Sequence, residues 1–272
     1  MSRPSQIRFL SRAARLYDPV VRGMGFPDLW ERIAAIASPP EEGVCLDVCT
    51  GTGGLALAMA RRGAYVVGLD AAPGMLRRAR RKARQAGLES HVKFMPMDAR
   101  SLALPDDSFP VVTCCMALHE MSEGERDQVL RELRRVASQR VVVADYRVPR
   151  GARGWLFRAL HVYEYLESDD FGSYASSDPA QRLAEAGLEV DPPSDAGAFR
   201  IWPCRVATAG PAGARGHGAG TREGTSGTQP RTQEVRRSAA TRRQCRRLQS
   251  ASKQGFLSIG YGVDASSIEK ST

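Results

Sequence analysis

The sequence predicts a doubly wound α/β fold with a mostly parallel sheet, and three observations carry that expectation. Apolar strand-like runs near residues 44, 65, 92, 111 and 141 alternate with helical patterns, which implies βαβ crossovers. The first run, Val44-Cys45-Leu46-Asp47-Val48, breaks into the turn Cys49-Thr50-Gly51-Thr52-Gly53-Gly54, and a helical pattern, Leu55 to Arg62, follows at once. Three successive apolar runs end in acids, Asp47, Asp70 and Asp98. Acids at strand ends belong where doubly wound folds bind ligands.

Taken in order, Ile7 to Ala35 reads as two helices around Tyr17-Asp18-Pro19-Val20. In the glycine turn, Gly51 and Gly53 lack Cβ, so the backbone can take positive φ and let a ligand lie against its N–H groups. The spacing Gly51-x-Gly53-x-x-Ala56 also satisfies the loose dinucleotide fingerprint, and Asp70 sits where a ribose-binding acid belongs in either reading. Asp47 separates them, because a carboxylate there welcomes a cationic amino group and repels a pyrophosphate. Charge therefore favours an amino-acid-bearing nucleoside.

Pro73 suits the first turn of a helix running to Ala86, whose apolar stripe is narrow: Met75, Leu76, Ala79 and Ala83. Its six basic residues, Arg77, Arg78, Arg80, Arg81, Lys82 and Arg84, read as a solvated face, since no aromatics are interleaved for nucleic acid. The strand Val92 to Met97 ends in Asp98-Ala99, where an adenine amino group could be read. Leu104-Pro105-Asp106-Asp107-Ser108-Phe109 leads into the strand Val111 to Cys115 and then Met116-Ala117-Leu118-His119-Glu120. Gly124 to Ala137 places Val129, Leu130, Leu133 and Val136 on one helical face. The strand Arg140 to Tyr146 precedes an amphipathic helix, Trp155 to Glu167. Gln181 to Gly187, Leu188 to Val190 and Phe199 to Ala207 read as a last helix and strand pair.

Composition adds limits. The chain has 272 residues, 42% apolar content and a formal net charge of +9. Most of that charge sits beyond residue 207, in a Gly-, Ser-, Thr- and Arg-rich tail expected to be disordered. The preceding part is near neutral, which argues against a nucleic-acid substrate for the core. No run reaches the ~18 apolar residues of a membrane span and no signal-peptide core is present, so a cytoplasmic location is expected. The cysteines at 45, 49, 114, 115, 204 and 245 form no CxxC pair or metal-spaced group, and no metal is expected.

The motifs Leu46-Asp47-Val48-Cys49-Thr50-Gly51-Thr52-Gly53, Val66-Val67-Gly68-Leu69-Asp70, Asp98-Ala99 and Leu104 to Phe109, in this order, resemble a class I S-adenosylmethionine-dependent methyltransferase. Within that class the chain is most similar to the ubiquinone/menaquinone biosynthesis methyltransferases. The resemblance covers about residues 10 to 207. It implies a seven-stranded sheet with an antiparallel final strand, an N-terminal helical cap over 1–40, a methyltransferase domain over 41–207 with a substrate-side insertion near 152–180, and a separate tail over 208–272. It also implies that Asp47, Thr50, Gly51 and Gly53 hold the methionine part of the cofactor and that Asp70 accepts the ribose hydroxyls. Asp98 and the Ala99 N–H would read adenine, with Ala71, Met75 and Met116 walling the base. Cys49 stands where many relatives carry the motif's first glycine, and Pro110 stands where they carry an acid.

The implied activity is methyl transfer to a small apolar or aromatic acceptor, a quinone-like precursor among the candidates. A base is needed only if the acceptor must lose a proton; His119, just past the fourth strand, is then the best-placed candidate, with Glu120 beside it, and the competing reading is that His119 packs or hydrogen-bonds in the loop. Tyr17, Tyr146, His161 and Tyr163 are further pocket candidates. Two other classes compete, a non-catalytic S-adenosylmethionine-binding relative and a nicotinamide-dependent oxidoreductase.

Overall fold

The computed structural model describes residues 18–19, 21–40, 43–148 and 169–207. The chain divides into two compact units, 1–207 and 208–272, and every described residue belongs to the first. Tyr17, His161, Tyr163, the Trp155–Glu167 segment and the basic tail lie outside the described residues.

Helix α1 (Phe26–Ala37) leads into β1 (Val44–Val48), α2 (Gly54–Arg61), β2 (Tyr65–Asp70), α3 (Pro73–Gln85) and β3 (Val92–Pro96). Then come β4 (Phe109–Cys115), a 3-10 turn (Leu118–Glu120), α4 (Glu123–Val136) and β5 (Ala137–Tyr146). After the undescribed segment follow α5 (Asp169–Ser176), α6 (Pro179–Glu185), β6 (Leu188–Val190), β7 (Ser194–Ala196) and β8 (Phe199–Val206). The sheet order is β3-β2-β1-β4-β5-β8-β6. The first five strands are parallel, and β8 runs antiparallel to β5. Strand order reverses between β1 and β4, so the crevice at their carboxyl ends is where a ligand belongs.

The sheet has eight strands among the described residues rather than the seven expected. The extra one is β7, which folds back on β8 through the two-residue turn Gly197-Ala198, with Gly197 at φ 63°. Ser194-Asp195-Ala196 has no apolar alternation, so nothing in its pattern announces a strand. It is held instead by Asp195, which pairs with Arg200 and Arg147.

Local chemistry explains the helix boundaries. Ser122 and Glu125 form a reciprocal capping box that starts α4. Asp178 caps α6 by accepting from the Ala180 N–H at 3.0 Å. In α3 the buried residues include Met75, Leu76, Ala79 and Ala83, the stripe read from the sequence. Its basic face is only partly solvated, because Arg80 donates to the Phe94 carbonyl at 2.7 Å and Arg78 and Lys82 turn toward Asp18. Pro110 is the second residue of β4, where the register with β5 shifts between Phe109 and Val111. A bulge leaves one residue unpaired, so proline's missing donor costs no ladder bond.

Arg126 links α4 to α5. Its guanidinium is buried and donates to the Met121 carbonyl at 2.6 Å and Ser173 Oγ at 2.7 Å, lying over the Tyr174 ring. Arg126→Ala leaves a cavity and removes the donor from the half-buried Met121 carbonyl, so it is expected to destabilise the fold by about 2–4 kcal/mol. Denaturant melting checks this; an unchanged midpoint would contradict the packing role.

Candidate active site

The carboxyl ends of β1, β2 and β4 border a cleft. Nine of the ten residues expected to hold the cofactor line it: Asp47, Thr50, Gly51, Asp70, Ala71, Met75, Asp98, Ala99 and Met116. Gly53 does not.

The turn after β1 explains the difference. Gly51 (φ 55°) has nothing within 4 Å of the place a Cβ would take, so its backbone is open to the cleft. At Gly53 (φ 77°) a Cβ would lie 2.8 Å from Phe94 Cζ and 3.0 Å from Ala79 Cβ. Gly53 is therefore packed behind the turn, while Gly51 faces open space. Gly53→Ala combines left-handed strain of about 1–2 kcal/mol with overpacking of about 1–3 kcal/mol. Thermal unfolding should show the loss, and a native melting temperature would refute the crowding. Cys49 (φ 58°) and Met116 (φ 55°) also take left-handed geometry, each at the end of a cleft-bordering strand. Strain of this kind clusters at functional sites.

Asp70 organises two loops. Its Oδ2 accepts from the Gly51 N–H and its Oδ1 from the Ala72 N–H, both at 2.8 Å. Burial pushes its carboxyl above the ordinary range, and these two N–H bonds oppose the rise. Asp47 is 1% exposed and accepts from Thr50 Oγ1 at 2.6 Å and Thr113 Oγ1 at 2.7 Å. Burial raises its pKa to about 6 despite both hydroxyl bonds, and the nearby Asp70 adds to the rise. Such a carboxylate is completed by a positive charge.

Asp98 is engaged by a neighbour that the sequence reading did not single out. Arg100 Nε lies 2.9 Å from Asp98 Oδ1, and Arg100 Nη1 reaches Glu125 Oε1 at 2.8 Å. The guanidinium holds the Asp98 carboxyl below its usual range. Phe26 and Trp30 bring α1 into the lining, so the N-terminal region contributes to the cleft through described residues.

His119 lies beside the lining residues rather than among them. It is 9% exposed, its Nδ1 is 2.7 Å from Asp145 Oδ1, and the rings of Tyr146, Phe171 and Tyr174 meet it edge-on. Its Nε2 stands 3.9 Å from Glu120 Oε1, and Glu120 does line the cleft. Tyr146 is buried against this cluster, with its carbonyl accepting from the Tyr174 hydroxyl at 3.0 Å.

Comparison with known proteins matches this geometry to a family. A methyltransferase-domain family model matches residues 45–140. Demethylmenaquinone methyltransferase of Thermus thermophilus is 40% identical over 179 residues, spanning 60% of this chain and 79% of that protein. The chain belongs to the class I S-adenosylmethionine-dependent methyltransferases. A ubiquinone/menaquinone biosynthesis C-methyltransferase of Idiomarina loihiensis is 31% identical, spanning 65% of this methyltransferase and 73% of its own length. Magnesium protoporphyrin IX methyltransferase of Synechocystis, solved with bound S-adenosylhomocysteine, shares the fold at TM-score 0.51 and 19% identity, covering 68% of this chain and 84% of that one. S-adenosylmethionine is the methyl donor of this methyltransferase, and the open Gly51 backbone and the buried Asp47 carboxylate suit a cationic nucleoside. No described helix of the methyltransferase is long and apolar enough to cross a membrane.

Proposed function

We propose that this methyltransferase acts on a carbon of a quinone-type aromatic acceptor in its reduced form. The observation that carries the acceptor class is the 40% identity to a demethylmenaquinone methyltransferase across 79% of its length. The reduced form follows from chemistry, because a methyl cation equivalent needs an electron-rich ring and a quinone is electron-poor. The apolar side chains of Phe26, Trp30, Met116 and Met121 in the cleft suit such a ring.

In this reading Asp47, Thr50 and Gly51 hold the methionine part of the cofactor, and Asp70 takes both ribose hydroxyls. Asp98 and the Ala99 N–H take the adenine edge between Ala71, Met75 and Met116. Gly53 backs the turn from behind. When bound, the cofactor supplies a methyl group already activated on a sulfonium, so the protein's main task is alignment and water exclusion. The remaining task is a proton. Glu120 faces the cleft, and His119 is the base that shares the proton lost from the acceptor's phenolic oxygen or ring carbon.

Incubation with S-adenosylmethionine and a demethylated naphthoquinone under reducing conditions tests the reading. A product heavier by one methyl on carbon is expected. Methylation of phosphatidylethanolamine instead, the lipid in the name of a relative from Cereibacter sphaeroides that is 32% identical, would overturn the acceptor class.

Asp47 makes a pH prediction. Its folded pKa of about 6 lies above the ordinary 3.8, so the neutral acid favours the apo fold below about pH 4 and that contribution is lost as pH rises through 6. Cofactor binding follows the opposite sign, because the cation needs the ionised form. Only about one molecule in eleven is ionised at pH 5, so affinity should be about tenfold weaker there than at pH 7.5. Titration calorimetry at the two pH values checks it. An Asp47→Asn protein with the same pH dependence would sink the assignment.

A further inference from the structure

We propose that Asp18 is a positioning residue for cofactor retention, tying the N-terminal cap to the glycine turn and to α3 through one carboxylate. The inference rests on the reading that the cleft holds S-adenosylmethionine. Asp18 itself is not among the residues lining that cleft.

Three elements meet at this carboxylate. Its Oδ1 accepts from Lys82 Nζ at 2.8 Å and from Thr52 Oγ1 at 2.7 Å, and its Oδ2 accepts from Arg78 Nε at 2.7 Å. Lys82 Nζ also donates to Thr52 Oγ1 at 3.1 Å and stands 5.5 Å over the Trp30 ring. The Asp18, Arg78 and Lys82 side chains are only 12%, 26% and 21% exposed, so water weakens these pairs less than it would on an open surface.

Thr52 lies between Gly51 and Gly53, the two left-handed glycines of the turn. Its pinned hydroxyl restrains the backbone that approaches the ligand. On the cap side, Trp30 lies flush on Gly54, where a Cβ would fall 2.4 Å from the indole ring. Phe26 packs edge-on against Phe199 with ring centroids 5.0 Å apart, and both Phe26 and Trp30 line the cleft. The cap thus touches the site through two aromatic rings, and Asp18 fastens it to the turn that Trp30 covers.

Charge strengthens the case. Without Asp18, Arg78 and Lys82 would stand uncompensated beside a turn that must receive a cationic ligand. Losing the carboxylate therefore loosens the cap and leaves repulsion behind it.

The test uses the full chain and measures release of S-adenosylhomocysteine by rapid dilution, with steady-state methyl transfer alongside. Asp18→Asn is expected to quicken release and raise KM for S-adenosylmethionine about tenfold, as loss of one or two half-buried ion pairs implies, while kcat stays within about twofold. Asp18→Glu keeps the charge and should recover most of the difference. In a double-mutant cycle, Lys82→Met should add little once Asp18 is Asn. Folded Asp18→Asn releasing at the native rate would overturn the proposal. Should that variant not fold, Lys82→Met, which removes one arm of the same cluster, should quicken release likewise, and native release from it would overturn the proposal equally. Failure of the cofactor-site reading looks different: the native chain would then bind S-adenosylhomocysteine with no loss in Asp70→Ala.

Discussion

Asp70→Ala is expected to weaken S-adenosylmethionine binding by about 100-fold or more. Two losses combine. Charge-assisted hydrogen bonds to the ribose contribute about 1.5–3 kcal/mol each, and about 1.4 kcal/mol is a factor of ten in affinity. The same carboxylate also anchors the Gly51 and Ala72 N–H groups at 2.8 Å, so the glycine turn loses its preorganised shape. Asp70→Asn should be nearly as damaging, because its amide must turn an NH2 toward one of those two N–H donors. Calorimetric titration with a melting curve on the same sample separates lost binding from lost folding. A folded Asp70→Ala protein with native affinity would remove the ribose assignment.

His119→Gln is expected to lower kcat by about 100-fold with little change in KM for S-adenosylmethionine, the lower end of what a general base contributes. The hydrogen-bond pattern decides which ring nitrogen is basic. Asp145 is fully buried and accepts from the backbone N–H groups of Leu118 at 2.9 Å, His119 at 3.2 Å and Tyr146 at 2.8 Å. Its remaining short contact, 2.7 Å to His119 Nδ1, is filled by an Nδ1–H donor. Nε2 is then the basic nitrogen, on the side of Glu120. The acidic limb of the kcat profile should disappear in His119→Gln, whereas a purely packing role would lower stability and leave the profile's shape alone. Full kcat in a folded variant would end the case for a base.

The parallel sheet was legible because β1 to β5 announce themselves by apolar runs broken by turns, and their acids fall at strand ends by simple counting. Nine of ten cofactor-site expectations line one cleft for that reason. Gly53 shows where reading stops. Its motif position matches that of Gly51, and only the Phe94 ring from β3, pressed against it, separates packing from ligand approach. Arg100 and Asp18 were illegible for a related reason. Nothing local tells that Arg100 folds back on Asp98, or that a carboxylate ahead of α1 meets two cations 60 and 64 residues later. His119 was singled out by its place after β4, whereas Asp145, which meets its Nδ1 from β5, was not singled out, because the pairing joins residues 26 positions apart.

The most direct test of the central claim, that the row Asp47, Asp70 and Asp98 receives S-adenosylmethionine, is a crystal structure of the full chain with S-adenosylhomocysteine. Ribose hydroxyls on Asp70, the adenine edge at Asp98 and Ala99, and the amino-acid end beside Gly51 and Asp47 are expected. Cofactor density elsewhere, or a nucleoside in this cleft with its ribose turned away from Asp70, would contradict it.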